Sequence, residues 1–239
     1  MGNDDIRLRI DGREIGANAG DTILVAALRA GIYIPHLCAK DGLSPWGSCR
    51  VCTVAVNGRY QPSCLVPAVD GMTVESETDL LNDFRRDLIA MLYVEGNHYC
   101  AFCERGGTCE LQALAYRLKL ASPRFPYLYP VRPLDATHPD LIIDHNRCIL
   151  CARCVRASKE IDHKNVYNFA ERSKYKHIIV DSAHGLGGTQ AAKDDAATDA
   201  CPVASIMRKQ GTYEQRYGAR RWDCAPIGAD IETHGVSGK

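Results

Sequence analysis

Residues 148–154 read CILCARC, three thiols at C-x2-C-x2-C. This run constrains the fold more than any other stretch, because thiols so closely spaced can close on one metal cluster. Zinc sites usually pair their thiols two and two, whereas an uninterrupted triple run opens the pattern that holds a cubane [4Fe–4S] cluster. Eleven of the twelve cysteines fall into three groups of ligand-like spacing, which suits a reducing compartment and metal better than disulfides. Lys plus Arg and Asp plus Glu balance at 29 each, so no basic excess exists to drive binding to nucleic acid or an anionic membrane. The N-terminus, MGNDDIRLRI, lacks the basic start and apolar core of a secretory signal. Ile6 stands where myristoylation after Gly2 needs Ser or Thr. The apolar runs are too short for membrane insertion, and a soluble cytoplasmic protein is expected.

Taken from the start, Ile6, Leu8 and Ile10 alternate with arginines as in a half-buried strand. Asp11-Gly12 signals a hairpin, with Glu14–Ala17 returning. Asp21 is expected to cap a short helix that Gly31 ends. Strand, strand, helix opens a β-grasp domain, expected over residues 1–77. It holds Cys38, Cys49, Cys52 and Cys64 at C-x10-C-x2-C-x11-C, and Gly42 and Gly47 permit tight backbone approach between the first two. Val51–Val56, Asn57-Gly58 and Tyr60 read as a further hairpin. Plant-type [2Fe–2S] ferredoxins use C-x4-C-x2-C and a remote fourth Cys. The longer first gap resembles instead the ferredoxin-like domain heading complex I's large hydrophilic subunit, which implies a [2Fe–2S] cluster on these four thiols. A zinc-bearing structural scaffold is the alternative of another class.

From Asp79 the period lengthens. Leu81, Phe84, Leu88, Met91 and Leu92 predict an amphipathic helix closed by Gly96. His98, Cys100 and Cys103 follow, and Cys109 opens a second helix with the apolar face Leu111, Leu114, Ala115 and Leu118. Three thiols at C-x2-C-x5-C need one more ligand for a four-iron cluster, and His98 is the nearest candidate. A capping or surface role is the plainer alternative for a lone histidine. The region, 78–120, resembles a helical module of complex I and iron-only hydrogenases whose cluster takes one His and three Cys. Their usual spacing is H-x3-C; position 96 is Gly here, and His98 stands at H-x-C.

Residues 121–140 carry five prolines with Phe125, Tyr127 and Tyr129 between them, an extended connector laid against the rest of the protein. Residues 141–210 resemble a two-cluster bacterial ferredoxin stripped to one cluster. Ser158 replaces the Cys that would serve a second cluster, and Ala191, Asp194 and Ala197 replace three more. The resemblance implies one [4Fe–4S] cluster on Cys148, Cys151, Cys154 and the distant Cys201. Val155–Ile161 reads as a helix and His177–Val180 as a strand. Gly185-Leu186-Gly187-Gly188 lacks the third glycine of a dinucleotide loop and reads as an ordinary turn. The remainder, 211–239, is a docking tail with Tyr213, Tyr217, Trp222 and Cys224, the odd thiol, expected to be buried or at an interface.

The expected fold class is therefore α+β: β-grasp domain, helical module, ferredoxin-like domain. That order resembles the front of complex I's large iron–sulfur subunit and of iron-only hydrogenases. EGNHYCAFCERGGTCELQALAY, RCILCARCVR and the terminal APIG are similar to the small iron–sulfur subunit of NAD-reducing [NiFe] hydrogenases. The resemblance implies an oxidoreductase relay subunit without a catalytic residue of its own. It would carry one [2Fe–2S] and two [4Fe–4S] clusters but no flavin or NAD, between a flavin- and NAD-binding diaphorase subunit and the hydrogenase small and large subunits. It places the helical module nearer the flavin and the ferredoxin-like domain outward. An equivalent relay of a complex-I-like NADH dehydrogenase or an NAD-dependent formate dehydrogenase is the alternative.

Overall fold

The computed structural model describes residues 6–209 and 215–233; Gly2 and Tyr213 lie outside them. Strands β1 (Ile6–Ile10) and β2 (Arg13–Ala17) pair antiparallel, Ile6 opposite Ala17. Asp11 and Gly12 both take positive φ (47° and 81°), the backbone twist a two-residue hairpin needs. The helix α1 (Ile23–Arg29) is capped by Thr22, whose Oγ1 accepts from Val25 N at 3.3 Å. Asp21, the expected cap, instead accepts from Asn18 N and pairs with Arg29. β3 (Thr53–Val56) and β4 (Arg59–Pro62) turn at Asn57-Gly58. β5 (Thr73–Glu75) enters between β1, to which it runs parallel, and β3. The sheet order β2-β1-β5-β3-β4 is that of a β-grasp fold, with α1 burying Ile23, Leu24, Ala26 and Ala27 against it.

α2 (Asp79–Glu95) begins at Thr78, which caps Leu81 N, and α3 (Glu110–Arg117) begins after Cys109. The face of α2 is turned by about one residue from the expected one. Leu81, Arg85, Ile89 and Tyr93 are buried, whereas Phe84 and Met91 are each 42% exposed. The cause is Arg85, a charged residue with no exposed surface. Its guanidinium donates to the Val51, Thr53 and Ser76 carbonyls at 2.8–3.1 Å and so ties α2 to the β-grasp domain. In α3 the expected face holds: Leu111, Leu114, Ala115 and the following Leu118 are buried.

The connector yields one short strand, β6 (Leu134–Asp135), at the sheet edge where missing N–H groups cost least. β7 (Leu141–Asp144) lies beside it, then α4 (Arg153–Glu160), β8 (Tyr167–Ala170) paired with β9 (His177–Val180), α5 (Ala196–Ala200) and β10 (Ile206–Arg208), which closes the sheet on β7. Residues 186–188 form a 3₁₀ turn whose Leu186 and Gly187 N–H groups are taken by Asp135 and Thr137, leaving no phosphate cradle. One hydrophobic core unites Leu37 and Val51, Ile89 and Leu114, and Ile143 and Ala157, so all three modules share it.

Within residues 215–233 the chain folds back on the helical module. Trp222, 4% exposed, donates its backbone N–H to Gly107 O at 3.1 Å and its Nε1–H to Asp230 at 2.6 Å. Cys224 is exposed, not buried; Trp222 takes the buried place beside it.

Candidate metal centres

The four thiols of the β-grasp domain lie in and beside loops, next to α1 and β3. Cys38, Cys52 and Cys64 are buried and Cys49 is half-buried. Cys38 N donates to Cys49 Sγ at 3.3 Å, and side-chain hydrogen bonds link Cys38 to Cys49 and Cys64, and Cys64 to Cys52. The bonds from Cys49 and Cys64 hold Cys38 far below the ordinary thiol range, and the Cys64 thiol lowers Cys52 to about 7. Gly47 takes φ +70° with Leu65 Cδ1 2.3 Å from where a Cβ would stand; Gly42 meets nothing within 4 Å.

In the helical module His98, Cys100, Cys103 and Cys109 line one pocket with Tyr93, Gly106 and Gln112. His98 Nε2 is buried and has no hydrogen-bond partner. Such an orphan costs roughly 1–3 kcal/mol unless something binds it. Desolvation, with Arg147 nearby, lowers the imidazole to about 4 and keeps it neutral at pH 7, the form that ligates a metal. Its ring lies on Gly96: a Cβ there would stand 2.7 Å from Nε2. The imidazole thus fills the space beside position 96, where the commoner spacing would put the histidine itself. Tyr93 meets the His98 ring edge-on and sets its hydroxyl 3.7 Å from Cys100 Sγ. Burial pushes Cys109 up to about 12.

In the third module Cys148, Cys151, Cys154 and Cys201 line one pocket, walled by Ile143, Ile178, Val203 and Ile206. The loop bends through Leu150 and Ala152, both at positive φ (54° and 61°), a strain of about 1–2 kcal/mol each that the chain accepts where it wraps the site. Burial raises Cys148 to about 11 and Cys151 to about 12. Thiols held this high bind as thiolates only by giving their protons to solvent when metal arrives. The second-cluster position is closed: Ser158 Oγ accepts from Val166 N at 2.9 Å, and Ala197 is fully buried in the core. Apolar pockets edged by three or four thiols, one with an orphaned imidazole nitrogen, suit iron–sulfur clusters. Among the described residues no three His, Cys, Asp or Glu side chains converge tightly enough for a single ion.

Sequence reasoning missed the arginines between these sites. Arg147 Nη1 lies 3.9 Å from Cys103 Sγ and pairs with Glu104 and Asp144. Arg156 donates to the Cys38 carbonyl at 2.6 Å and to Ser44 O. Glu160 accepts from Ser44 N and Oγ, and Arg105 donates to Cys201 O. The available signal was the basic residues interleaved with thiols in RCILCARCVR.

Three family descriptions match in chain order: a 2Fe-2S iron-sulfur cluster binding domain over residues 3–79, the NADH-ubiquinone oxidoreductase-G iron-sulfur binding region over 85–124, and the ferredoxin-like domain of NADH-quinone oxidoreductase subunit 3 over 139–207. The gamma subunit of the NAD-reducing hydrogenase HoxS of Cupriavidus necator is 33% identical over 94% of this chain and 96% of its own length. The chain belongs to the gamma-subunit family of NAD-reducing hydrogenases. A crystal structure of an NAD+-reducing [NiFe]-hydrogenase in the H2-reduced state contains a chain related to this family member at TM-score 0.89 and 43% identity, over 95% of this chain and 98% of that one. The family also has relatives of other names. A G-type component of the NADH-quinone oxidoreductase of Rhizobium meliloti is 34% identical, but the match takes 92% of this chain and 25% of that protein. The alpha component of the NADPH-Fe(3+) oxidoreductase of Geobacter sulfurreducens is 31% identical over 98% of this chain and 28% of its own.

Proposed function

We propose that this chain is the electron-relay subunit of a cytoplasmic NAD-reducing [NiFe] hydrogenase, set between a flavin- and NAD-binding diaphorase subunit and the hydrogenase small and large subunits. The end-to-end match to a hydrogenase gamma subunit carries this reading, since the dehydrogenase relatives are matched over only a quarter to a third of their length. Cys38, Cys49, Cys52 and Cys64 would hold a [2Fe–2S] cluster. His98 with Cys100, Cys103 and Cys109 would hold one [4Fe–4S] cluster, and Cys148, Cys151, Cys154 and Cys201 a second. When bound, such clusters take up and release single electrons at potentials set by ligands, hydrogen bonds and burial.

Contacts between the modules bear on the order of the three proposed sites. The ferredoxin-like module meets the Cys38 loop through Arg156 and the helical module through Arg147 and Arg105. These contacts support reading its site as the middle one of three, in place of the outward position that the resemblance implies.

The test uses the purified multisubunit complex. With Cys151→Ala, hydrogen-driven NAD reduction should fall sharply. NADH oxidation by a small artificial acceptor should largely persist, because it needs only the flavin partner. Retention of both activities, or a wild-type chain that co-purifies with quinone-reducing subunits instead, defeats the proposal.

A further inference from the structure

Arg153 lies between two proposed ligands, Cys151 and Cys154, and is 2% exposed. Few side chains are costlier to bury than a guanidinium, so its partners define its task. Nη1 and Nη2 donate in a fork to Glu110 Oε1 and Oε2 at 2.7 and 2.8 Å, and Nη2 also donates to Ala39 O at 2.9 Å. Glu110 directly follows Cys109, and Ala39 directly follows Cys38. The Glu110 N–H in turn donates to the carbonyl of Pro202, the residue after Cys201. One side chain of the third module thereby touches the neighbour of a proposed ligand in each of the other two. Its Nε is buried without a partner, although both Nη groups beside it are engaged. The sulfurs of Cys151 and Cys201 act on the guanidinium beside Glu110, and Arg156 is a further charged neighbour.

Resting on the relay reading above, we infer that Arg153 is a positioning residue that holds the three cluster loops in register through its Nη groups. It keeps its Nε–H for the cluster of Cys148, Cys151, Cys154 and Cys201, whose potential it raises. The fork onto Glu110 prevents the guanidinium from rotating and engages both Nη groups, which leaves Nε as the donor without a protein partner. A fixed cation and an N–H aimed at a cluster both favour its reduced, more negative state.

The experiment is a redox titration followed by electron paramagnetic resonance on the full complex, with iron and sulfide counted in each sample. The signal lost in Cys151→Ala identifies the cluster in question. Arg153→Met should lower the ratio of reduced to oxidised cluster at a fixed poise about tenfold, a midpoint about 59 mV lower for a one-electron couple. Arg153→Lys keeps the charge but loses the fork and the Nε–H, and should recover only part of the shift. Glu110→Gln removes the counter-charge while leaving Arg153 in place, and should move the midpoint in the opposite direction. This variant still decides the matter if Arg153→Met does not fold. An unchanged midpoint in a fully loaded Arg153→Met complex, full recovery by lysine, or a fall with Glu110→Gln overturns the inference. A wild-type chain without iron and sulfide would instead overturn the relay reading beneath it.

Discussion

At the residue scale the helical module turns on one imidazole and the glycine beneath it. His98→Cys should keep a four-iron cluster but lower its potential, because a thiolate makes the site more negative than a neutral imidazole does. The pair of samples is compared by redox titration with iron content as control. Gly96→Ala tests the same site from below. The added methyl would stand 2.7 Å from Nε2 and 2.9 Å from the Asn146 carbonyl, which cannot give way as a side chain can. The expected cost is about 1–3 kcal/mol in denaturation, with iron lost from this site while the [2Fe–2S] absorption stays. Tyr93→Phe removes only the hydroxyl beside Cys100 Sγ and should lower the potential of the same cluster without changing its iron count. If His98→Cys and wild type titrate together, the imidazole is not a ligand.

At the scale of elements, Arg85 shows why a helix face was misread. A pattern built on apolar residues passes over it, yet three backbone carbonyls of another module wait for it, and only tertiary structure supplies those. Arg85→Met should cost on the order of 3 kcal/mol by leaving buried carbonyls unsatisfied. Lysine should not rescue the loss, because one ammonium cannot span the three acceptors. Chemical denaturation of the two variants checks both statements. The hairpins, by contrast, were legible from Asp11-Gly12 and Asn57-Gly58, whose backbone requirement is local. The thiol groups were legible from their spacing, and the structure brings the second and third sets each around one pocket. β8 and α5 were not expected: Tyr167–Ala170 is too short for a period, and Ala196–Ala200 is buried on small side chains that carry almost no pattern. Thr22 displaced Asp21 as a cap for an equally local reason, since either residue can serve and the Asn18 turn had taken the aspartate. The tail was visible only as aromatic residues, while its seat on Gly107 depends on a contact far away in the chain. Trp222→Ala should cost about 3 kcal/mol of local docking and raise hydrogen exchange around Gly107, leaving the β-grasp domain protected as before.

At the scale of the whole molecule, complete loading predicts about ten irons per chain with matching labile sulfide. Cys224→Ser should leave both counts unchanged, since its side chain is exposed and belongs to none of the three proposed ligand sets. Counts near four or six would show that one ligand set is not what its spacing implies. The shared core also bears on the order of events during synthesis. The loop at Cys38–Ser44 leaves the ribosome long before α4, whose Arg156 supplies its partner 118 positions later. Contacts that distant form slowly, because the intervening chain must be closed first. Until then the nascent β-grasp domain carries carbonyls and thiols meant for a neighbour that does not yet exist. Maturation of the N-terminal centre should therefore wait on the last third of the chain, and a ribosome stalled before residue 153 should display a thiol loop still open to alkylation.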